Sequence, residues 1–125
     1  MQKIILAYNF TPERLQALKL ICMMLRTQLR AVTREELLQP VGYLAGLPEV
    51  ASVSEAYSGD EGQEEMLLMC RQDLDRLLAA IKKGKLRQVA LKAMLTPTNC
   101  TWSGLQLLQE LSQEHAYMHG KNAGK

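Results

Sequence analysis

Residues 3–19, KIILAYNFTPERLQALK, decide the fold class. Lys3 to Tyr8 is a nearly unbroken apolar run that stops at Asn9, the pattern of a strand buried on both faces of a parallel sheet. Thr11-Pro12-Glu13 then supplies an N-cap hydroxyl, a proline whose missing N–H costs nothing at the first helical position, and an acid beside the positive end of the helix dipole. Leu15, Leu18, Ile21, Cys22 and Leu25 follow at three- and four-residue spacing, so the helix that starts there carries one apolar stripe to lay on a sheet. A buried strand leading straight into an amphipathic helix is the repeating unit of an α/β domain.

The same unit recurs further along. Leu29 to Val32 reads as strand two, and Thr33 to Glu36 has the spacing of a capping box before a brief helix. From Gln39 to Glu64 the pattern loosens around Pro40, Gly42, Gly46, Pro48 and the turn cluster Gly59-Asp60-Glu61-Gly62, with a short helical turn expected over Val41 to Leu47. Met66 to Cys70 is strand three, and Asp73 caps a helix carrying Leu74, Leu77, Leu78 and Ile81 that ends at Gly84. Gln88 to Leu95 is strand four, broken by Thr96-Pro97-Thr98-Asn99, and a last helix carries Trp102, Leu105, Leu108, Leu111 and Met118. These elements predict a small four-stranded, mostly parallel α/β sheet of order 2-1-3-4 with helices on both faces, over residues 1–119, and a frayed tail at 120–125. A ferredoxin-like α+β fold is the alternative, because the loose middle lets strands two and three run antiparallel. No repeat at a solenoid period is visible.

The chain has 125 residues, 47% hydrophobic and 22% charged, which suits one domain with a proper core. Fifteen basic and 13 acidic side chains leave +2, too weak a charge to imply nucleic acid or an anionic membrane as partner. Cys22, Cys70 and Cys100 are odd in number and irregularly spaced, which points to a reducing compartment. With no secretory leader and no apolar helical stretch long enough for a bilayer, a cytoplasmic protein is expected.

The opening KIILAYNFTPERLQALK, the middle QPVGYLAG and the stretch VALKAMLTPTNCTW resemble an uncharacterised family of small bacterial proteins, classed only as a domain of unknown function. The similarity spans nearly the whole chain, with Leu91 to Trp102 its most specific part. This resemblance implies a bacterial cytoplasmic protein with no assigned reaction, and it offers no catalytic residues to carry over.

In an open parallel sheet, ligands bind beyond the carboxyl ends of the strands, near the point where strand order reverses. That rule gathers Tyr8, Asn9 and Thr11 from strand one, Cys70 and Arg71 from strand three, and Thr96, Thr98 and Asn99 from strand four into one candidate crevice. A small anionic metabolite would meet Thr11 and the helix N–H groups as donors and Arg71 as counter-charge. The simpler account is that Thr11, Thr98 and Asn99 are caps and turn formers. No glycine lies in the loop after strand one, so neither a Walker-type cradle nor a dinucleotide fingerprint fits there.

Cys70, at a strand end beside Arg71, is the weak catalytic candidate, since such a thiol would have a lowered pKa, although no C-x-x-C accompanies it. Lys92 inside an apolar strand is either a buried, low-titrating amine or a guard on an edge strand, and the guard is preferred. His115 and His119 lie four apart without a third ligand, and Asp60, Glu61, Glu64 and Glu65 lack the order of a calcium loop, so no metal and no cofactor are expected. Lys82, Lys83, Lys85 and Arg87 offset a helix dipole and lack an aromatic platform, so nucleic acid is not an expected partner. Met23 and Met24 add adaptable apolar surface to the first helix. The leading reading is a non-enzymatic module that binds a small ligand or a protein at the carboxyl edge of the sheet. A thiol-dependent enzyme using Cys70 and a structural homo-oligomer subunit are the alternatives.

Overall fold

The computed structural model describes residues 3–70, 74–83, 89 and 91–123, without the side chains of 74, 75, 78, 82, 83 and 114–123. In chain order the elements are β1 (Ile4–Tyr8), α1 (Pro12–Met24), β2 (Gln28–Val32), a 3-10 turn (Arg34–Leu38), α2 (Val41–Leu44), β3 (Met66–Cys70), α3 (Leu74–Lys83), β4 (Leu91–Met94) and α4 (Gly104–Ala123). Thr11 caps α1 as its sequence demands, its hydroxyl accepting from the Arg14 N–H at 3.3 Å. Strand four is shorter than its apolar run suggests, and α4 continues past Gly120 to Ala123. Asp73, Gly84, Lys85 and Arg87, like Arg71, lie outside the described residues.

The four strands form one sheet in the order β2-β1-β3-β4. β1 pairs with β2 in parallel and β3 with β4 in parallel, while β1 and β3 meet antiparallel with Leu6 opposite Leu68. A small α/β sheet of the expected order is therefore present, and it is mixed. The direct β1–β2 pairing sets aside the ferredoxin-like alternative, in which another strand separates those two. The central reversal has a physical cause in the connection between β2 and β3. That connection leaves β2 at Val32 and re-enters the sheet at Met66, both beside Tyr8 at the same end of β1. A chain that returns to the edge it left must run back the other way.

Alternation along the strands splits the core in two. Ile5, Ala7, Leu67 and Met69 face α1 and α3, packing on Leu18, Ile21, Cys22, Leu77 and Ile81. Leu6, Tyr8, Met66, Leu68 and Leu91 face the opposite way, onto Leu37, Val41, Leu44, Leu107 and Leu108. Burying a Leu or Ile side chain of this kind contributes about 1.5–3 kcal/mol. Every residue of β3 is buried, as a central strand covered on both faces requires.

The two βαβ units are similar in layout. The β1–β2 register pairs Ile4 with Gln28, the β3–β4 register pairs Met66 with Leu91, and both crossover helices pack on the same face. Together with the antiparallel centre, this gives the sheet an approximate two-fold axis between Leu6 and Leu68. On the far face, Pro40 bridges to Ser103, the Val41 N–H donates to the Trp102 carbonyl at 2.8 Å, and the Gly42 N–H donates to the Cys100 carbonyl at 2.8 Å. These bonds seat α2 against the segment that enters α4. No helix among the described residues is long and apolar enough to cross a membrane.

Candidate functional site

Because β1 and β3 are antiparallel, their carboxyl ends lie at opposite edges of the sheet. The single crevice expected from the sequence is thus divided. Tyr8, Asn9 and Thr11 stand at one edge, and Cys70, Thr96, Thr98 and Asn99 at the other. Arg71 lies outside the described residues.

At the first edge, Asn9 adopts a left-handed backbone with φ 64°. Its amide donates to the carbonyls of Gly62 at 2.7 Å and Glu64 at 2.8 Å, and its carbonyl oxygen accepts from Arg34 Nη1 at 3.1 Å. Arg34 also donates to the Gly62 carbonyl at 2.6 Å and the Glu61 carbonyl at 2.7 Å, with its guanidinium 5.6 Å from the Tyr57 ring centre. Arg14 forks onto Glu65 at 2.6 and 2.7 Å. These groups hold the end of the β2–β3 connection against the sheet, and the hydrogen bonding of Asn9 is directed inward at backbone. Thr11 is consumed as a cap.

Tyr8 is fully buried, its ring lying where a Cβ on Gly104 would come within 2.5 Å. It is therefore unavailable to a ligand, a correction that follows from its alternation onto the same face as Leu6. Its hydroxyl makes no hydrogen bond. Burial, then the nearby Glu36 carboxylate, push the phenol well above its ordinary range, with Arg30 opposing. A buried hydroxyl without a partner costs stability, so Tyr8→Phe is expected to raise unfolding free energy by about 1 kcal/mol in urea titration; a loss would show that the hydroxyl is satisfied.

Glu36 accepts from the Thr33 N–H at 3.1 Å and from Arg30 at 2.7 Å. Burial opposes its charge, but Thr33 and Arg30 together hold the carboxyl below its ordinary 4.5. With the folded-state value lowered, the stabilisation is fully present above the unfolded-state value and is lost as pH falls through the folded one. Glu36→Gln is accordingly expected to flatten the acid limb of a stability-versus-pH curve below about pH 4.5 and leave the shape above it unchanged.

At the second edge, the Thr96 N–H donates to Asn99 Oδ1 at 2.9 Å, the Asn99 N–H donates to Thr96 Oγ1 at 3.1 Å, and Asn99 Nδ2 donates to the Met94 carbonyl at 3.0 Å. This is a self-contained turn in which both side chains serve the backbone. Thr98 is exposed on it. Cys70 is only 5% exposed, which removes the access a nucleophile needs. Burial pushes the Cys22 thiol up to about 11, and the Cys100 thiol donates to the Pro97 carbonyl at 3.4 Å. Lys92 is exposed on the edge strand β4 with its ammonium on the Val89 carbonyl at 3.2 Å, as a guard residue would be. Among the described residues no group of three or more His, Cys, Asp or Glu side chains is placed to hold a metal.

The surface departs from ordinary polarity on α1. Leu20, Met23 and Met24 are 55%, 73% and 71% exposed. Their three- and four-residue spacing puts them together on the solvent side of the last turns, opposite the buried Leu18, Ile21 and Cys22. The two methionines were visible as surplus apolar surface in the sequence, and Leu20, one turn earlier, carries the same signal. Lys19 and Arg26 border the patch, are exposed, and form no ion pair among the described residues. Arg26 sits in a left-handed conformation with φ 51° that ends the helix, its N–H donating to the Met23 carbonyl and that of Thr27 to the Cys22 carbonyl.

Residues 65–118 match the model of a family described as a domain of unknown function, DUF3783. The match starts one residue before β3 and runs into α4, covering the second βαβ unit and less than half of the chain. It includes Leu91 to Trp102 and leaves out the opening and QPVGYLAG segments, so the shown likeness is narrower than the whole-chain resemblance expected from sequence. No curated protein and no solved structure matches the chain.

Proposed function

We propose that this chain is a non-catalytic protein-binding module that docks a partner protein on the solvent-facing, C-terminal half of α1. The observation that carries the reading is the exposure of Leu20, Met23 and Met24 on one helix face. Three neighbouring exposed apolar side chains form a surface patch of the kind that is often functional on a monomer. Methionine is well suited to such a surface because its unbranched, polarizable side chain adapts to different neighbours. Lys19 and Arg26 at the border favour a partner segment whose apolar side chains are flanked by acids. A second copy of this chain is a poor occupant, because it would bring the same exposed cations, Lys19 and Arg26, together. The small-ligand reading loses its support with the division of the crevice, and the thiol reading with the burial of Cys70.

Photo-crosslinking from position 20 in the producing cells tests this, with position 53, exposed elsewhere on the surface, as the control. One discrete protein adduct is expected from position 20 alone. It should vanish with Met23→Lys and Met24→Lys, and the purified partner should bind with the same sensitivity. No discrete adduct, or an adduct between two copies of the chain, would overturn the reading.

A further inference from the structure

We infer that Met23 and Met24 form a paired oxidation site, at which hydrogen peroxide turns the docking face of α1 from apolar to polar and releases its partner. The modification rests on exposure and chemistry alone, and its effect on docking rests on the reading of that face proposed above. The described methionine side chains fall into two classes. Met66 and Met69 stand on the central strand β3 at 0% and 2% exposure, and Met94 is half-buried against the core. Met23 and Met24 occupy consecutive positions in the last turn of α1 and project most of their surface into solvent. A small oxidant reaches these two directly, whereas it reaches the β3 pair only when the sheet opens.

A thioether needs no activation by a base, because its neutral sulfur already carries the reacting lone pair, so access decides which methionine is oxidised. The sulfur attacks one oxygen of hydrogen peroxide, an S–O bond forms as the O–O bond breaks, and the departing hydroxide takes the proton of the transferred oxygen to leave as water. Methionine loses two electrons and the peroxide gains them. The reverse step uses two thiols of a reductase, which become a disulfide while the sulfoxide oxygen leaves as water.

The consequence is confined to the surface. Two of the three side chains of the patch become polar, and a partner that covers them must strip water from two strong acceptors. Lys19, exposed one helical turn before Met23, gives the new oxygen a cationic neighbour in the unbound chain. Neither methionine belongs to either core, and the bonds that end the helix, from Arg26 to the Met23 carbonyl and from Thr27 to the Cys22 carbonyl, are made by backbone. Oxidation therefore changes what the face binds and leaves the fold intact.

The test treats the full chain with millimolar hydrogen peroxide and follows it by peptide mass spectrometry, hydrophobic-interaction chromatography and urea unfolding. One added oxygen at each of Met23 and Met24 is expected about tenfold or more faster than at Met66 or Met69, with earlier elution. A chain carrying Met23→Leu and Met24→Leu keeps an apolar face without the thioethers, so its elution should ignore peroxide, which separates the pair from the partly exposed thiol of Cys100. The urea midpoint of the native sequence should move no more than that of this variant. The oxidised chain should bind the partner captured from position 20 about tenfold or more weakly, with recovery on treatment with methionine sulfoxide reductase and dithiothreitol, while the leucine variant binds equally before and after peroxide. Oxidation of Met66 or Met69 at the same rate, unchanged elution, or undiminished binding of the oxidised chain would overturn the inference. Absence of any adduct from the untreated chain sinks the docking reading and with it the release of a partner, whereas the oxidation rates and the elution decide the modification by themselves.

Discussion

Replacing Asn9 with alanine is expected to destabilise the protein by about 3 kcal/mol, seen as a lowered urea midpoint. Three effects combine. The amide loses its bonds to the Gly62 and Glu64 carbonyls, Arg34 loses an acceptor, and a residue with a Cβ and no compensating side chain is left at φ 64°. Asn9→Gly separates these contributions, because glycine accepts the left-handed backbone freely and should recover about 1 kcal/mol of the loss. Asn9→Asp should also destabilise, because it sets a carboxylate oxygen against the Gly62 and Glu64 carbonyls, but by less than alanine, since it keeps an acceptor for Arg34 and tolerates the left-handed backbone. A loss below about 1 kcal/mol in the alanine variant would show that the β2–β3 connection does not depend on this clamp.

Gly42→Ala should cost about 2–3 kcal/mol for a different reason. A Cβ there would lie 2.6 Å from the Cys100 carbonyl oxygen and 3.1 Å from the Cys100 Cβ. That carbonyl cannot simply retreat, because the Gly42 N–H holds it at 2.8 Å and the neighbouring Val41 N–H holds the Trp102 carbonyl. Gly46 provides the contrast. It has φ 95° but nothing near its Cβ position, so alanine there should cost only the backbone conformation, about 1 kcal/mol. Equal losses at the two positions in thermal or urea unfolding would mean that α2 yields freely from the α4 entry segment.

How much was legible in the sequence depended on whether local chemistry or distant contacts set each feature. The Thr11-Pro12 cap, the α1 stripe and the Met66–Cys70 run are local, and they appear where the residues place them. Strand order also followed, because short βαβ connections leave few choices. The antiparallel centre was hidden because it is set by the connection between β2 and β3. That stretch is held by contacts with no periodic trace: Asn9 and Arg34 on the 61–64 carbonyls, Gln39 bonded twice to the Val53 backbone, and Tyr57 accepting from the Glu61 N–H. One consequence fell on the site. Once the strands reverse, residues that seem to converge at one carboxyl edge are dealt to two, and Thr11, Thr96 and Asn99 prove to be the caps and turns their positions already required. Arg34 was missed because its fork closes across 28 residues of sequence onto carbonyl groups, which carry no signature in residue type. The α1 patch could be read more fully, since Leu20 shares a helix face with the two methionines already noted.

The antiparallel meeting of β1 and β3 also says something about what the tether between the halves accomplishes. Two βαβ units joined across a local two-fold have the geometry of an isologous pair, each offering its first strand to the other. The covalent connection makes that encounter intramolecular and so replaces bulk concentration with an effective one set by its length. Two chains exchanging their second units would rebuild every strand pairing of the sheet between them, with only the tether rerouted. The clamp of Asn9 and Arg34 on the Gly62 segment belongs to the same encounter, because it fastens the end of the tether that leads into β3 to the edge from which the tether left β2.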